Sequence, residues 1–381
     1  MRFTPTPDRV LVQLGGLITL LKYAVLAFGA TNVTGHLVTN YTQYRLKGNN
    51  NMIPWSFISD RKINFEPGIT CRLKCAGCYM RADGMSKTKN PEDHISMGWD
   101  RRYNIPLEKY KIIFEVFNTF EFCGNLSDPI YHPDFVETLK HLQGKNLEII
   151  FRTNGSGKSR EWWTEVFELC RTENWRWTFA LDGLPKDSHK YRINQDGEQV
   201  FEMMKLGAEL GIDIQWQWIV FNYNQYDIDQ GMLMADRYHI KFEYYHSTRW
   251  DRPELITLKP SVEHAANERA SYDVTNKIKV EIAADCLRAH LTKDIMFNSM
   301  GYFIPCCEQD GLVESMESLG FYQEKFHIDN LHTVEDIKNV FMSDTWQNFY
   351  IGLVNDAANA PKKCQSFCRK RNIIKDENTF V

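Results

Sequence analysis

From Ile63 to Tyr245, short apolar segments alternate with amphipathic ones, and this alternation constrains the fold more than any other feature. The apolar segments have the length and the aromatic and β-branched content of strands, and the segments between them have helical periodicity. Repeated strand–helix units predict an α/β fold with a parallel sheet and right-handed crossovers, in which ligands bind at the carboxyl ends of the strands. The predicted strands are residues 63–69, 119–123, 147–153, 175–181, 212–221 and 240–245, and the predicted helices are residues 106–117, 133–142, 160–171, 199–210 and 226–238.

Three cysteines follow the first predicted strand, where Cys71, Cys75 and Cys78 have the spacing C-x3-C-x2-C. Three thiolates can hold three irons of a [4Fe–4S] cluster and leave the fourth iron without a protein ligand. An open metal position is where a small chelating ligand can bind. The alternatives are a zinc loop, although no fourth Cys or His lies within it, and three buried cysteines that are close by chance.

Length, charge and cysteine content narrow the class of protein. A chain of 381 residues exceeds the usual size of one core, so we expect a large domain and a smaller one. A net charge of −4 gives no electrostatic reason to expect nucleic acid or an anionic membrane as partner. Most of the ten cysteines fall in two groups, which in a chain of this size favours metal ligation in a reducing, cytoplasmic compartment over disulfides.

The chain divides into three predicted parts: an N-terminal extension (1–55), a core (56–260) and a C-terminal domain (261–381). Residues 10–31 are the most apolar segment, but Gln13, Lys22 and three glycines set it apart from a clean membrane span. We expect this segment to be a helix packed on the core or a hairpin at a partner interface. A signal peptide and an interfacial membrane helix are the alternatives.

The three-cysteine spacing resembles the signature of the radical S-adenosylmethionine (SAM) enzymes, and six strand–helix units match the partial (β/α)6 TIM-like barrel of that family. The resemblance implies a [4Fe–4S] cluster held by Cys71, Cys75 and Cys78. It also implies that the open iron binds the amino and carboxylate groups of SAM. An electron from the cluster would then cleave SAM to a 5′-deoxyadenosyl radical, which abstracts hydrogen from a substrate.

Further landmarks of the family lie at the ends of successive predicted strands. The turn 124–129 resembles the Gly-Gly-Glu-Pro turn that holds the SAM amino group, with Asp128 in place of Glu and extra residues inserted. Thr153-Asn154-Gly155 resembles the Thr-Asn-Gly that commonly ends the third strand. Each of these sequences is also a common turn. The SAM contacts implied here are Gly124, Asp128, Thr153 and Asn154.

The fourth strand ends in Asp182-Gly183, which His189 and Arg192 follow. This run resembles one common in peptide-modifying members. It implies Asp182 near the SAM ribose and Arg192 paired with the SAM carboxylate, although Arg192 alone could be a surface residue. Many members carry an aromatic residue before the third cysteine, near the adenine, where this chain has Gly77. The substitutes expected for that contact are Tyr79, Phe242, Tyr244 and Tyr245. The remaining cysteines, Cys123 and Cys170, are expected to be small buried apolar residues.

The C-terminal part combines a hairpin around residues 298–301, a helix at 334–349 and a second group of cysteines. The resemblance is to the auxiliary-cluster extension of radical SAM enzymes, in its one-cluster twitch form more than in the longer SPASM form. A Gly-x-x-x-x-Cys pattern favours Cys306 over its neighbour Cys307, and zinc on four cysteines is the alternative. The predicted ligands of an auxiliary [4Fe–4S] cluster are Cys286, Cys306, Cys364 and Cys368.

These features predict an enzyme that modifies a peptide or protein side chain, with the auxiliary cluster transferring electrons and a flavodoxin or ferredoxin as electron donor. Oxidation of a small molecule, such as a sugar or an aminocyclitol, is the alternative within the same class. A hypothesis of another class is a protein whose metal sites only stabilise or regulate it, and which would need no SAM contacts at the strand ends.

Overall fold

The computed structural model describes residues 52–78, 98–247, 250, 253–262, 295–355 and 360–367. Eight strands form one sheet in the order β6-β5-β4-β3-β2-β1-β7-β8, and strands β1 to β6 run parallel. The predicted parallel α/β sheet is therefore confirmed. The strands are β1 (Lys62–Phe65), β2 (Thr119–Phe122), β3 (Glu148–Thr153), β4 (Trp175–Ala180), β5 (Asp213–Val220), β6 (Lys241–His246), β7 (Ile295–Phe297) and β8 (Phe303–Ile304).

Helices connect and cover these strands. They are α1 (Trp55–Ser59), α2 (Leu107–Tyr110), α3 (Phe135–Leu142), α4 (Arg160–Cys170), α5 (Gly197–Glu209), α6 (Ile228–Arg237), α7 (Pro253–Ile256), α8 (Val313–Ser318), α9 (Val334–Met342), α10 (Asp344–Asn355) and α11 (Lys362–Phe367). None of the described helices is long and apolar enough to cross a membrane, and the apolar segment 10–31 lies outside the described residues.

The two faces of the sheet differ because successive side chains of a strand point to opposite faces. On one face, an aromatic row crosses four neighbouring strands: Phe65, Phe122, Phe151 and Trp177 pair in register, with ring centroids 5.0, 5.0 and 4.5 Å apart. All four are buried. Such pairs contribute about 0.5–1.5 kcal/mol each beyond the apolar area that they bury. The core is therefore anchored to this face.

The other face carries charged and polar side chains. Glu121 on β2 accepts hydrogen bonds from Lys62 on β1 and Arg152 on β3, both at 2.5 Å. Arg152 also donates to Gln217 on β5 at 2.9 Å. The two neighbouring cations lower the pKa of Glu121 although its burial acts in the opposite direction. This network links β1, β2, β3 and β5 on the face of the sheet opposite to the aromatic row.

The C-terminal hairpin extends the same sheet. Strand β8 pairs in antiparallel with β7, so the predicted hairpin is present, and β7 pairs in parallel with β1, which the sequence did not predict. The Asn298 side chain stabilises the turn by accepting from the backbone N–H groups of Met300 and Tyr302. Gln347 on α10 bonds both the N–H and the C=O of Ile53, which ties the C-terminal helices to the beginning of the described chain.

Three predicted element boundaries were wrong. Strand β1 ends at Phe65 rather than at residue 69, and Pro67, which lacks an N–H to donate to a ladder, follows shortly after. The helix predicted at 106–117 is α2 followed by a 3₁₀ segment, Lys111–Glu115. The helix predicted at 334–349 is two helices, because Ser343 has extended backbone (ψ 156°) between α9 and α10.

Candidate active site

The three-cysteine loop lies directly after β1, at the carboxyl edge of the sheet. Its backbone is fixed to the segment that follows β4: Lys74 N–H donates to the carbonyl of Ile193 at 3.0 Å, and Ala76 N–H donates to that of Tyr191 at 3.2 Å. Within the loop, Cys78 N–H donates to the Cys75 carbonyl at 3.0 Å. Backbone hydrogen bonds therefore hold the loop that carries the thiols, and these bonds do not depend on the side chains of the loop.

Charged and polar groups lie close to two of the three thiols. Burial raises the pKa of Cys75 to about 11, the neighbouring Arg192 guanidinium opposes this shift, and the Cys78 thiol adds to it. Cys71 Sγ lies 3.7 Å from the amide nitrogen of Asn154. Arg192 therefore favours the thiolate of Cys75, while burial and the nearby Asp182 oppose it, and the amide of Asn154 favours the thiolate of Cys71.

These three cysteines fit a [4Fe–4S] cluster by donor type and by placement. Thiolates are the ligands of such clusters, and three of them on one short loop leave one corner to another ligand. Within the described ranges, no three His, Cys, Asp or Glu side chains are grouped so as to hold a single metal ion. A cluster is bound at separate corners, so its ligands need not converge on one ion.

The turn after β2 brings four predicted residues together. Asp128 accepts from Thr153 Oγ1 at 2.8 Å and from the backbone and side-chain nitrogens of Asn154 at 2.6 and 2.5 Å. Burial raises its pKa to about 6 despite these bonds. At Gly124, an added Cβ would lie 1.8 Å from the Ser127 carbonyl oxygen, so only glycine fits this turn. The ends of β2 and β3 are joined through one buried carboxylate.

Glu66 holds the same turn from the other side and was missed by the sequence reasoning. Its Oε1 accepts from the N–H groups of Leu126 and Ser127, both at 2.8 Å, and from Ser127 Oγ at 2.9 Å. The side chain is 1% exposed, and burial, with a smaller contribution from Asp310, raises its pKa to about 7. The sequence feature that could have identified Glu66 is that it is the single acidic residue in the apolar segment 63–69.

Asp182 and Arg192, predicted to contact SAM, contact each other. Arg192 Nε donates to Asp182 Oδ2 at 2.7 Å, and Ile219 N–H donates to Oδ1 at 2.7 Å. Burial raises the pKa of Asp182, and Arg192 opposes that shift. Asp182 therefore fixes the guanidinium through Nε, and the two Nη atoms have no hydrogen-bond partner among the described residues.

The residues expected to replace an aromatic at position 77 lie in different surroundings. Phe242 packs on Trp216 and Trp218, with centroids 5.3 and 5.6 Å away. Tyr244 is 48% exposed and lies against His246, and the Tyr245 hydroxyl donates to Glu243. Tyr79 lies outside the described residues.

Of the auxiliary cysteines, Cys306 and Cys364 are described, whereas Cys286 and Cys368 lie outside the described residues. Gln309 connects the two: its N–H donates to the Cys306 carbonyl at 3.0 Å, and its Nε2 lies 3.3 Å from Cys364 Sγ. Asn125, in the turn after β2, donates to the Cys307 carbonyl at 3.2 Å. The two cysteine groups are therefore connected through that turn.

The two remaining cysteines differ from each other. Cys170 is 1% exposed and belongs to the hydrophobic core, as expected. Cys123 is not a core residue: it lies on the polar face of the sheet, with its thiol 3.5 Å from Asn64 Oδ1. The expectation of a small apolar role for Cys123 was wrong because the residue follows β2 on the face opposite to the aromatic row.

Solved structures with a similar fold include SuiB from Streptococcus suis. The structure of SuiB bound to S-adenosylmethionine matches with a TM-score of 0.50 at 16% identity, over 89% of this chain and 77% of that one. A further SuiB structure has a TM-score of 0.50 at 15% identity, over 82% and 71%. SuiB bound to precursor peptide SuiA has a TM-score of 0.47 at 16% identity, over 81% and 69%.

No family model matches the sequence, and no curated protein does either. At 15–16% identity, the similarity to SuiB establishes the fold alone. The chain has the fold of SuiB, and its cysteine spacing and strand–helix repeat resemble those of the radical SAM enzymes.

Proposed function

We propose that this protein is a radical SAM enzyme that abstracts hydrogen from a peptide or protein side chain. The observation that carries the proposal is the position of the three-cysteine loop. It follows β1 at the carboxyl edge of the sheet and is bonded to the segment of Tyr191 and Ile193, next to the buried Asp182–Arg192 pair. Ligands of parallel α/β sheets bind at this edge.

In this proposal Cys71, Cys75 and Cys78 hold a [4Fe–4S] cluster, which supplies the electron that cleaves SAM and so generates the hydrogen-abstracting radical. The protein orients SAM and excludes water from it. Arg192 offers its Nη atoms to the SAM carboxylate while Asp182 fixes the guanidinium. Asp182 itself is proposed to lie near the ribose, as the resemblance implies.

The turn 124–128 is proposed to bind the SAM amino group through its backbone. Its shape is set by two buried carboxylates, Glu66 on one side and Asp128 on the other. Thr153 and Asn154 act by holding Asp128, and Asn154 also lies beside the Cys71 thiol. Each of these side chains keeps the binding groups in place before SAM arrives, which reduces the entropic cost of binding.

We further propose that residues 261–381 form a domain that binds one auxiliary [4Fe–4S] cluster through Cys286, Cys306, Cys364 and Cys368. Four thiolates leave no open iron, so the role proposed for this cluster is electron transfer rather than substrate binding. A flavodoxin or ferredoxin in a reducing cytoplasm would supply electrons. Support for this part comes from Gln309, which contacts both the Cys306 carbonyl and the Cys364 thiol.

The peptide substrate rests on the Asp182-Gly183…His189…Arg192 run, which resembles that of peptide-modifying members. A small molecule such as a sugar or an aminocyclitol is the second candidate substrate. The competing hypothesis of another class is a protein that is not an enzyme and whose metal sites only stabilise it. The buried network around the turn 124–128 argues against this hypothesis, because a purely structural site needs no preformed contacts at three strand ends.

Iron content and electron paramagnetic resonance test the proposal. After anaerobic reconstitution, Cys71→Ala and Cys364→Ala should each lose one cluster, and Cys170→Ala, whose thiol lies in the apolar core, should lose neither. Adding SAM should change the spectrum of the cluster that is lost in Cys71→Ala. Retention of all iron in both variants, bound zinc, or a spectrum unaffected by SAM would contradict the proposal.

A further inference from the structure

The space beside Gly77 is filled by side chains from other segments. A Cβ at position 77 would lie 3.1 Å from the hydroxyl oxygen of Tyr191 and 3.1–3.2 Å from the methyl carbons of Leu255. Tyr191 belongs to the segment after β4, and Leu255 belongs to α7. A ring attached to the loop at this position would therefore compete with a ring already present from elsewhere.

Tyr191 is held by its backbone and by ring packing. Its carbonyl accepts from Ala76 N–H in the cysteine loop, and its own N–H donates to the Ser188 carbonyl. Its ring packs on Phe221 with centroids 4.4 Å apart, and Phe221 stacks on Tyr223 at 5.6 Å with an interplanar angle of 10°. We call Tyr191, Phe221 and Tyr223 the aromatic stack. Phe221 is buried, whereas Tyr191 is half-buried at the end of the stack next to the loop.

The aromatic stack adjoins the polar groups proposed to bind SAM. The Tyr223 hydroxyl donates to the Asp182 carbonyl at 2.7 Å. The guanidinium carbon of Arg192 lies 5.8 Å from the centre of the Tyr191 ring. The aromatic stack thus contacts Asp182 through the Tyr223 hydroxyl and the cysteine loop through Tyr191. A purine fits this combination because it presents a π-face to an aromatic ring.

We propose that Tyr191 supplies the aromatic contact to the adenine of SAM in this chain, in place of a residue at position 77. The inference rests on the proposed function, since it concerns the same SAM site. It assigns the contact to a side chain that reaches the loop from the segment after β4, and it accounts for glycine at position 77 by the space that Tyr191 and Leu255 occupy.

Binding of S-adenosylhomocysteine to the reconstituted protein tests the assignment, because this ligand keeps the adenosine and cannot be cleaved to the radical. Titration calorimetry should show Tyr191→Leu weakening binding by roughly 5- to 150-fold, the range for one lost base-stacking contact. Tyr191→Phe should bind within about twofold of the wild type. Tyr244→Leu, which removes an aromatic expected from sequence to make this contact, should also bind within about twofold.

Two further measurements separate adenine binding from a structural role of Tyr191. L-Methionine keeps the amino and carboxylate groups and lacks adenine, so at saturation it should perturb the spectrum of the reduced cluster equally in the wild type and in Tyr191→Leu. The double variant Gly77→Phe/Tyr191→Ala, which returns a ring to the loop, should recover most of the lost affinity. The double variant also decides the question if Tyr191→Leu does not fold.

Equal affinity of the wild type and Tyr191→Leu, or loss of affinity in Tyr244→Leu alone, would overturn the assignment. So would failure of the folded double variant to recover binding. If the wild type carries its cluster and binds neither S-adenosylhomocysteine nor SAM, the proposed function itself fails, which is a distinct outcome from equal binding by wild type and variant.

Discussion

The two cysteine regions differ in how the rest of the chain holds them. The turns around the loop 71–78 are fixed by three buried carboxylates, Glu66, Asp128 and Asp182, each of which accepts bonds from more than one donor. In the C-terminal region, Gln309 contacts two cysteines, the Cys306 carbonyl through its backbone N–H and the Cys364 thiol through its side-chain amide. A site that must orient a small ligand needs donors held in advance, whereas a fully ligated cluster organises its own four ligands. We therefore expect the region around the loop 71–78 to tolerate substitution of its supporting residues far less well than the C-terminal region.

The largest expected effect comes from Gly124→Ala. The added methyl group would meet the backbone of Ser127 at 1.8 Å, and no side-chain movement can relieve that contact. We expect the turn to move, SAM affinity to fall at least about tenfold, and stability to fall by roughly 2–4 kcal/mol, as for overpacking and backbone strain combined. Calorimetry and urea unfolding measure the two effects. Gly311→Ala is the control, because nothing lies within 4 Å of the added atom.

Asp128→Ala should be nearly as severe. It leaves Thr153 Oγ1 and two nitrogens of Asn154 without their acceptor inside the protein. Because a buried group left without its partner costs about 1–3 kcal/mol, the free energy of unfolding should fall by roughly 2–3 kcal/mol. Asp329→Ala removes an exposed ion pair with Lys109 and should cost less than about 1 kcal/mol. Similar losses in the two variants would show that the Asp128 network has no special role.

Glu66→Gln should change the pH dependence of stability. A pKa of about 7 in the folded state, above the ordinary value of 4.5, means that the folded chain holds this proton more tightly than the unfolded chain. Below about pH 4.5, Glu66 is protonated in both the folded and the unfolded chain, so its ionisation does not change the free energy of unfolding. As pH rises from there to about 7, Glu66 costs the folded state an increasing amount, up to roughly 3 kcal/mol, and the cost is constant above that range.

Glutamine keeps the carbonyl acceptor for the turn and removes the titration. The difference in unfolding free energy between Glu66→Gln and the wild type should therefore shift in favour of the variant between pH 4.5 and 7. Urea titrations across this range measure the difference. A difference independent of pH would mean that Glu66 does not retain its proton in the folded protein.

The smallest effect is expected in the C-terminal region. Gln309→Ala removes one hydrogen bond to Cys364, and the Oε1 of Gln309 is buried without a hydrogen bond in the described structure. The loss of stability should be about 1 kcal/mol or less, and the iron content after reconstitution should equal that of the wild type. Loss of the iron that is also lost in Cys364→Ala would show that the C-terminal region depends on its supporting residues as strongly as the loop 71–78 does.

The strand ends could be predicted from sequence because each buried strand is an apolar run bounded by turn residues. Predicted strands 2 to 6 begin and end within one residue of β2 to β6. The helix predicted at 334–349 failed at Ser343, since its apolar periodicity continues across the break. The spacing of apolar residues indicates which face of a helix is buried, but it does not reveal a break caused by one extended residue.

The residues of the candidate site also differ in whether the sequence alone could identify them. Cys71, Asp128 and Asn154 could be found because family motifs name them, and the structure places them in one network. Glu66 and Tyr191 could not, because their importance depends on tertiary neighbours: Glu66 on Leu126 and Ser127, Tyr191 on Gly77. Arg192 lies between the two cases, since its motif predicted a ligand contact and its ion pair with Asp182 appears only in the fold.

Formation of 5′-deoxyadenosine tests the central claim most directly. The reconstituted protein, reduced anaerobically in the presence of SAM, should release 5′-deoxyadenosine, and Cys75→Ala should release none while Cys170→Ala remains active. Chromatography with mass detection measures the product. Absence of 5′-deoxyadenosine from a wild-type protein that demonstrably carries the cluster of the three-cysteine loop would contradict the claim.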